Sequence, residues 1–192
     1  MPLSLQRVRE QARRIKLLLL DVDGVLTDGR IYYMLAPDGG IFETKTFHSR
    51  DGLGIRYARE AGLMLGIITG RASAATRYRA KELKFDFFEE NRLDKIGPYE
   101  KILHKARIAD EQVCYVGDDL VDLPILKRAG LAVGVHDGHP LLRRHVHYLT
   151  QCSGGLGAVR EIIEIILDAQ GKWKPVVERY LNAPGAERDS VR

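Results

Sequence analysis

The sequence predicts an α/β fold, three layers with a parallel sheet between helices, and two observations carry that expectation. Short apolar runs of strand length alternate with segments of helix length, the pattern of a buried parallel sheet with helices on both faces. Three of the runs open directly into polar clusters: Asp-Val-Asp-Gly at 21–24, Thr-Gly-Arg at 69–71 and Gly-Asp-Asp at 117–119. In an open parallel sheet ligands bind beyond the carboxyl ends of the strands, so the three clusters converge on one edge.

The first segment sets Leu3, Leu5, Val8 and Ala12 against Arg7, Arg9, Arg13, Arg14 and Lys16 in an amphipathic pattern. These basic residues supply much of the net charge of +4 and read as a solvated helix face, not a nucleic-acid surface. Strands are expected over 16–20, 63–68, 113–116 and 131–135, each a bounded apolar run. Helices are expected over 52–61, 72–83, 97–107, 120–129, 155–169 and 173–181. The 155–169 segment lines up Val159, Ile162, Ile163, Ile166 and Leu167 on one face. Beyond 181 the apolar periodicity stops, so 182–192 is expected to be a flexible tail on a single domain of residues 1–181.

Residues 29–48 break the alternation. Two extended runs, 30–35 and 41–47, flank Ala-Pro-Asp-Gly-Gly at 36–40. Pro37, Asp38 and Gly39 supply the fixed and positive φ values of a turn, so the segment reads as a projecting β-hairpin. Ile31, Tyr33, Ile41 and Phe47 make its arms apolar. An isolated hairpin is marginal in water, so this one is expected to pack against something, and another chain is a candidate.

Composition narrows the class. Hydrophobic residues make up 45% and charged residues 29%, ordinary for a soluble globular protein. The longest apolar stretch, Ile15–Leu20, is interrupted by Lys16 and too short to span a bilayer. No secretory leader is evident, and Cys114 and Cys152 form neither a disulfide framework nor a metal-ligand spacing. A cytoplasmic protein without nucleic-acid or membrane partners is expected.

The chemistry sits in the carboxylates. Asp21 and Asp23 follow an apolar strand two residues apart, a spacing that lets both face one site. Such carboxylates repel, and a metal or a lysine relieves the cost. Lys95 and the Gly-Asp-Asp-Leu-Val-Asp run, with Asp118, Asp119 and Asp122, are the candidates to help. Oxygen ligands without His or Cys suit Mg²⁺ better than zinc. Thr69 and Gly70 offer a hydroxyl and open backbone amides for phosphate oxygens. Together these parts suit phosphoryl transfer, with Asp21 attacking phosphorus and Asp23 as acid and then base. Taken singly each motif reads as a turn or a cap; their joint occurrence in this order does not. His136 and His139 lie in a turn without a third ligand and are expected to be structural or solvated.

Asp21-Val-Asp-Gly-Val-Leu-Thr27, Ile68-Thr-Gly-Arg71, Lys95 and Gly117-Asp-Asp-Leu-Val-Asp122 resemble the four motifs of the haloacid-dehalogenase superfamily. The resemblance spans about 16–170 and implies a Rossmann-like core, Asp21 as nucleophile and Asp23 as acid/base. It also implies Mg²⁺ held by Asp21, the Asp23 carbonyl and Asp118, with Asp119 and Asp122 in support and Thr69 and Lys95 on the phosphoryl group. Neither 28–50 nor 69–95 has room for the cap domain that many superfamily members insert. An uncapped site stays open to water, so neighbouring chains are candidates to cover it.

More specific phrases resemble the 3-deoxy-D-manno-octulosonate (KDO) 8-phosphate phosphatases: Asp21–Tyr33, Phe47-His-Ser-Arg-Asp-Gly52, Asp137–Leu142 and Gly154–Glu161. That family implies a phosphorylated 2-keto-3-deoxy sugar acid as substrate, a role in lipopolysaccharide precursor synthesis and a homotetramer whose hairpins build a central barrel. It also implies that a neighbour's C-terminal tail reaches the active site. Arg50 and Asp51 would then border the substrate pocket, with Arg71 as a further substrate-binding residue. Leu156 stands where the family usually has arginine, which keeps a nine-carbon sugar acid phosphate open as substrate. A non-catalytic oligomerisation module and a phosphotransferase compete with the phosphatase function.

Overall fold

The computed structural model describes residues 2–182, so the tail expected over 182–192 lies outside the described residues from 183 onward. Six strands form one parallel sheet in the order β5-β4-β1-β6-β7-β8: β1 (Leu17–Leu20), β4 (Met64–Ile68), β5 (Phe87–Glu89), β6 (Val113–Gly117), β7 (Leu131–Gly134) and β8 (Tyr148–Leu149). Helices connect them: α1 (Leu5–Ala12), α2 (Ser49–Glu60), α3 (Ala74–Glu82), α4 (Ile96–Ala106), α5 (Leu123–Leu126), α6 (Ala158–Ala169) and α7 (Trp173–Leu181). This is the three-layer Rossmann-like α/β fold expected.

The four leucines of β1 show why the run sits at the centre. Successive side chains of a strand point to opposite faces, and all four are buried. Leu18 and Leu20 pack with Val8, Ile55, Ile162 and Ile166, under α1, α2 and α6. Leu17 and Leu19 pack on the other face with Tyr99, Ile102 and Ile125, under α4 and α5. A strand apolar on both faces is stable only between two helical layers.

The strands β5 and β8 were not expected as separate elements. They are three and two residues long, too short for a periodic signature, and both are sheet edges. The single helix expected over 120–129 is instead a 3₁₀ turn, Leu120–Asp122, followed by α5. Asp119 caps that turn, and Pro124 near the start of α5 lacks the N–H a continuous helix needs there.

The hairpin is present as β2 (Tyr32–Leu35) and β3 (Ile41–Thr44), antiparallel, with Leu35 opposite Ile41. Gly39 turns the chain at φ +83°. Pairing ends at Thr44, short of the 47 expected, because the chain there dives inward and buries Lys45. The apolar residues of the hairpin face outward: Tyr33 is 68% exposed, Leu35 78% and Ile41 70%. No described helix is long and apolar enough to cross a membrane.

Candidate active site

Strand order reverses at β1. The chain builds β4 and β5 on one side of it, then β6, β7 and β8 on the other, and such a reversal opens a crevice at the carboxyl ends. Asp21 leaves β1 into that crevice and Asp118 leaves β6. Because β1 ends at Leu20, Asp21 and Asp23 sit on a loop, not at alternate positions of a strand as expected. Gly24, at φ +85°, bends this loop, and a Cβ there would lie 2.6 Å from Asp118 Cγ. Glycine permits both the turn and the close approach.

Lys95, at the start of α4, joins the two loops from below. Its Nζ lies 2.9 Å from Asp21 Oδ1 and 2.6 Å from Asp122 Oδ1, with a side chain only 1% exposed. Nζ is also 3.3 Å from the Tyr115 hydroxyl, which donates to Asp122 Oδ1 at 2.6 Å. The other oxygen of Asp122 accepts the N–H groups of Asp118 and Asp119 at 2.9 and 3.2 Å. Both Asp122 oxygens are therefore taken, which makes it a brace for Lys95 and for the loop after β6.

Asp21 and Asp118 are different. Burial pushes Asp21 up to about 6, against the pull of Lys95 and with a further push from Asp122. Burial, then the charge of Asp21, pushes Asp118 up to about 8. Lys95 loses some basicity to burial, but the carboxylates of Asp21 and Asp122 outweigh that and hold it above an ordinary lysine. Oxygens of Asp21, Asp118 and Asp122 lie within 4.8 Å of one another. With Asp122 already engaged, Asp21 and Asp118 are the pair able to hold a cation, and their crowding is what a divalent ion relieves. An all-oxygen set fits Mg²⁺.

The remaining candidates fall in several places. Thr69 is buried where the chain leaves β4, next to β1, and its hydroxyl accepts the Arg71 N–H at 3.4 Å. Gly70 follows, with Leu93 packed beside it. Arg71 reaches the hairpin, 2.6 Å from Glu43 Oε2. Asp119 is exposed and caps the turn through Leu120 N–H at 2.7 Å, so only its charge bears on Asp118. Arg50 lines a cleft of about 440 Å³ with Leu156, Cys152 and Arg160. Asp51 lies beneath that cleft: it is 2% exposed and accepts the N–H groups of two residues that line it, Gly157 at 3.2 Å and Arg160 at 2.7 Å. Its carboxylate anchors the start of α6. His139 Nδ1 accepts Leu141 N–H at 3.2 Å, the structural role expected.

Two residues at the centre were not anticipated from the sequence. Tyr115 is the one hydroxyl-bearing residue in an otherwise apolar buried strand, a signal that points to a polar partner. Lys45 is buried in the hairpin and bonds Asp23 Oδ1; only its place in an amphipathic arm could have hinted at this.

Residues 88–163 match the haloacid dehalogenase-like hydrolase family. The chain is 44% identical over 165 residues to the 3-deoxy-D-manno-octulosonate 8-phosphate phosphatase KdsC of Escherichia coli (strain B / BL21-DE3), covering 86% of each. The chain belongs to that phosphatase family. Among solved structures, a probable YrbI family phosphatase from Pseudomonas syringae pv. phaseolica 1448a superposes with a TM-score of 0.88 at 41% identity, over 93% of this chain and 99% of that one. The phosphatase of Moraxella catarrhalis, solved with magnesium, phosphate and KDO, gives a TM-score of 0.86 at 38% identity, over 91% and 98%. Family membership makes the chain a phosphoric monoester hydrolase.

Proposed function

We propose that this chain hydrolyses KDO 8-phosphate to KDO and inorganic phosphate through an aspartyl-phosphate on Asp21. The observation that carries the reading is the buried Lys95, 2.9 Å from Asp21 and braced by Asp122 at 2.6 Å. An ammonium held there neutralises phosphoryl oxygens as Asp21 attacks. Thr69 and the Gly70 amide bind the same oxygens. Asp21 forms the bond to phosphorus as the bond to the sugar oxygen breaks, and Asp23 gives that oxygen a proton. Asp23 then takes a proton from the water that attacks phosphorus, which frees phosphate and restores Asp21. Mg²⁺, held by Asp21, Asp118 and the Asp23 carbonyl, supplies further charge neutralisation when bound.

Arg50 and Arg71 are the cations for the sugar acid, with Asp51 positioning the neighbouring loop. The exposed apolar hairpin supports a homotetramer whose neighbouring chains cover the open site. A non-catalytic module has no use for a buried lysine between two carboxylates, and a phosphotransferase needs a site closed against water.

The test is phosphate release by the protein with Mg²⁺ from KDO 8-phosphate and from nine-carbon sugar acid 9-phosphates. Preferred turnover of the eight-carbon ester supports the reading. Preference for the nine-carbon esters moves the substrate assignment, and no release from any of them ends it.

A further inference from the structure

Lys45 has no part in the chemistry above, yet it is one of two buried lysines among the described residues, the other being Lys95. Its side chain is 1% exposed, on a hairpin whose other long side chains largely face solvent. Burying an ammonium is costly unless it is paired. Lys45 bonds Oδ1 of Asp23 and lies 3.4 Å from Glu43 Oε1. Glu43 in turn holds Arg71 at 2.6 Å. The row Asp23–Lys45–Glu43–Arg71 thus alternates in sign and ties the hairpin to the loops after β1 and β4.

We infer that Lys45 is a positioning residue that fixes the Asp23 carboxylate for proton transfer, so the hairpin carries part of the acid/base machinery. The inference rests on the role proposed for Asp23. With Oδ1 held by Lys45, Oδ2 is the oxygen left to give its proton to the leaving group. Lys45 keeps its own protons throughout: the proton passes from Asp23 to the oxygen of the breaking P–O bond and is replaced from the attacking water. A salt bridge that only fastened the hairpin would stabilise the fold and leave the response to leaving-group basicity unchanged.

The experiment uses the Mg²⁺-loaded protein and substituted phenyl phosphates whose phenols span a range of basicity. With enzyme in excess, phenol release reads the first chemical step alone. Lys45→Met is expected to slow the ester of the most basic phenol about 100-fold and that of the least basic by less than about fivefold, which steepens the rate dependence. Lys45→Arg restores most of the lost rate. Glu43→Gln, which frees Lys45 on its far side, steepens the dependence less and serves if Lys45→Met does not fold. A uniform loss across the series, or a crystal structure of Lys45→Met with the Asp23 carboxylate unmoved, overturns the inference. Because the series does not involve KDO 8-phosphate, failure of the native protein on that substrate removes the proposed substrate and leaves this test standing.

Discussion

The crevice at the end of β1 and the hairpin beyond it solve opposite problems. In the crevice Lys95 and Asp122 are buried and fully engaged: Lys95 touches Asp21, Asp122 and Tyr115, and Asp122 accepts on both oxygens. On the hairpin Tyr33, Met34, Leu35 and Ile41 are each more than half exposed, while its one ammonium is hidden. Charge has moved inward and apolar surface outward, the reverse of the usual partition. A lone chain gains nothing from such a surface, so the contrast separates a centre complete in one chain from a surface that suits a second.

The largest expected effect tests the centre. Asp21→Asn keeps the shape but removes the proposed nucleophile, and should cut phosphate release by about 10⁴-fold or more in a steady-state assay. Secondary structure and oligomeric state should not change. Activity retained in that variant would break the assignment of the crevice as catalytic.

Next comes stability. Lys95→Met strands Asp21 and Asp122 as buried carboxylates without their cation, and loss of one partner of a buried pair typically costs about 3–5 kcal/mol. Urea denaturation should show a lower midpoint with an unchanged slope. Removing Lys174 from its exposed pair with Glu178 should cost no more than about 0.5 kcal/mol. Equal costs would erase the distinction between buried and surface charge.

The hairpin is tested by Leu35→Glu with Ile41→Glu, a pair opposite each other across β2 and β3. If neighbouring chains pack there, light scattering should show dissociation, while the secondary structure read by circular dichroism stays that of the native chain, because both side chains are exposed in the single chain. An unchanged oligomer would move the interface elsewhere.

The smallest effect sharpens the metal site. Asp21 and Asp118 have folded-state values raised to about 6 and about 8, above the ordinary carboxylate range. The folded state therefore binds more protons than the unfolded one between about pH 4 and 8, and metal-free stability falls as pH rises through that window. Mg²⁺ should raise the melting temperature more at pH 8 than at pH 5. A shift independent of pH would argue against Asp21 and Asp118 as its ligands.

Apolar runs and their polar exits told where each strand ends, and thus that Asp21, Thr69 and Asp118 share one edge, because a buried parallel strand must be apolar on both faces. Lys95 stood out only beside the carboxylates it could neutralise and through the resemblance, since a single lysine in a loop carries no local signal. The two-residue β8 was not visible, because edge pairing depends on a strand distant in sequence, whereas the break after Asp119 is local, set by the Asp119 cap and by Pro124. Asp51 shows the same limit. Nothing local to Asp51 shows that the fold brings the N–H groups of Gly157 and Arg160, more than 100 residues later, onto its oxygens.

By itself, then, the sequence determined the layer order, the hairpin and the candidate reacting carboxylates, all set by patterns local to a few residues. The tertiary structure decided which carboxylates are satisfied and which remain free for a cation, and it turned Lys45 from a hairpin residue into the partner of Asp23. Those outcomes depend on burial and on distances between groups far apart in the chain, where a few ångströms separate a solvated charge from one that must find its partner.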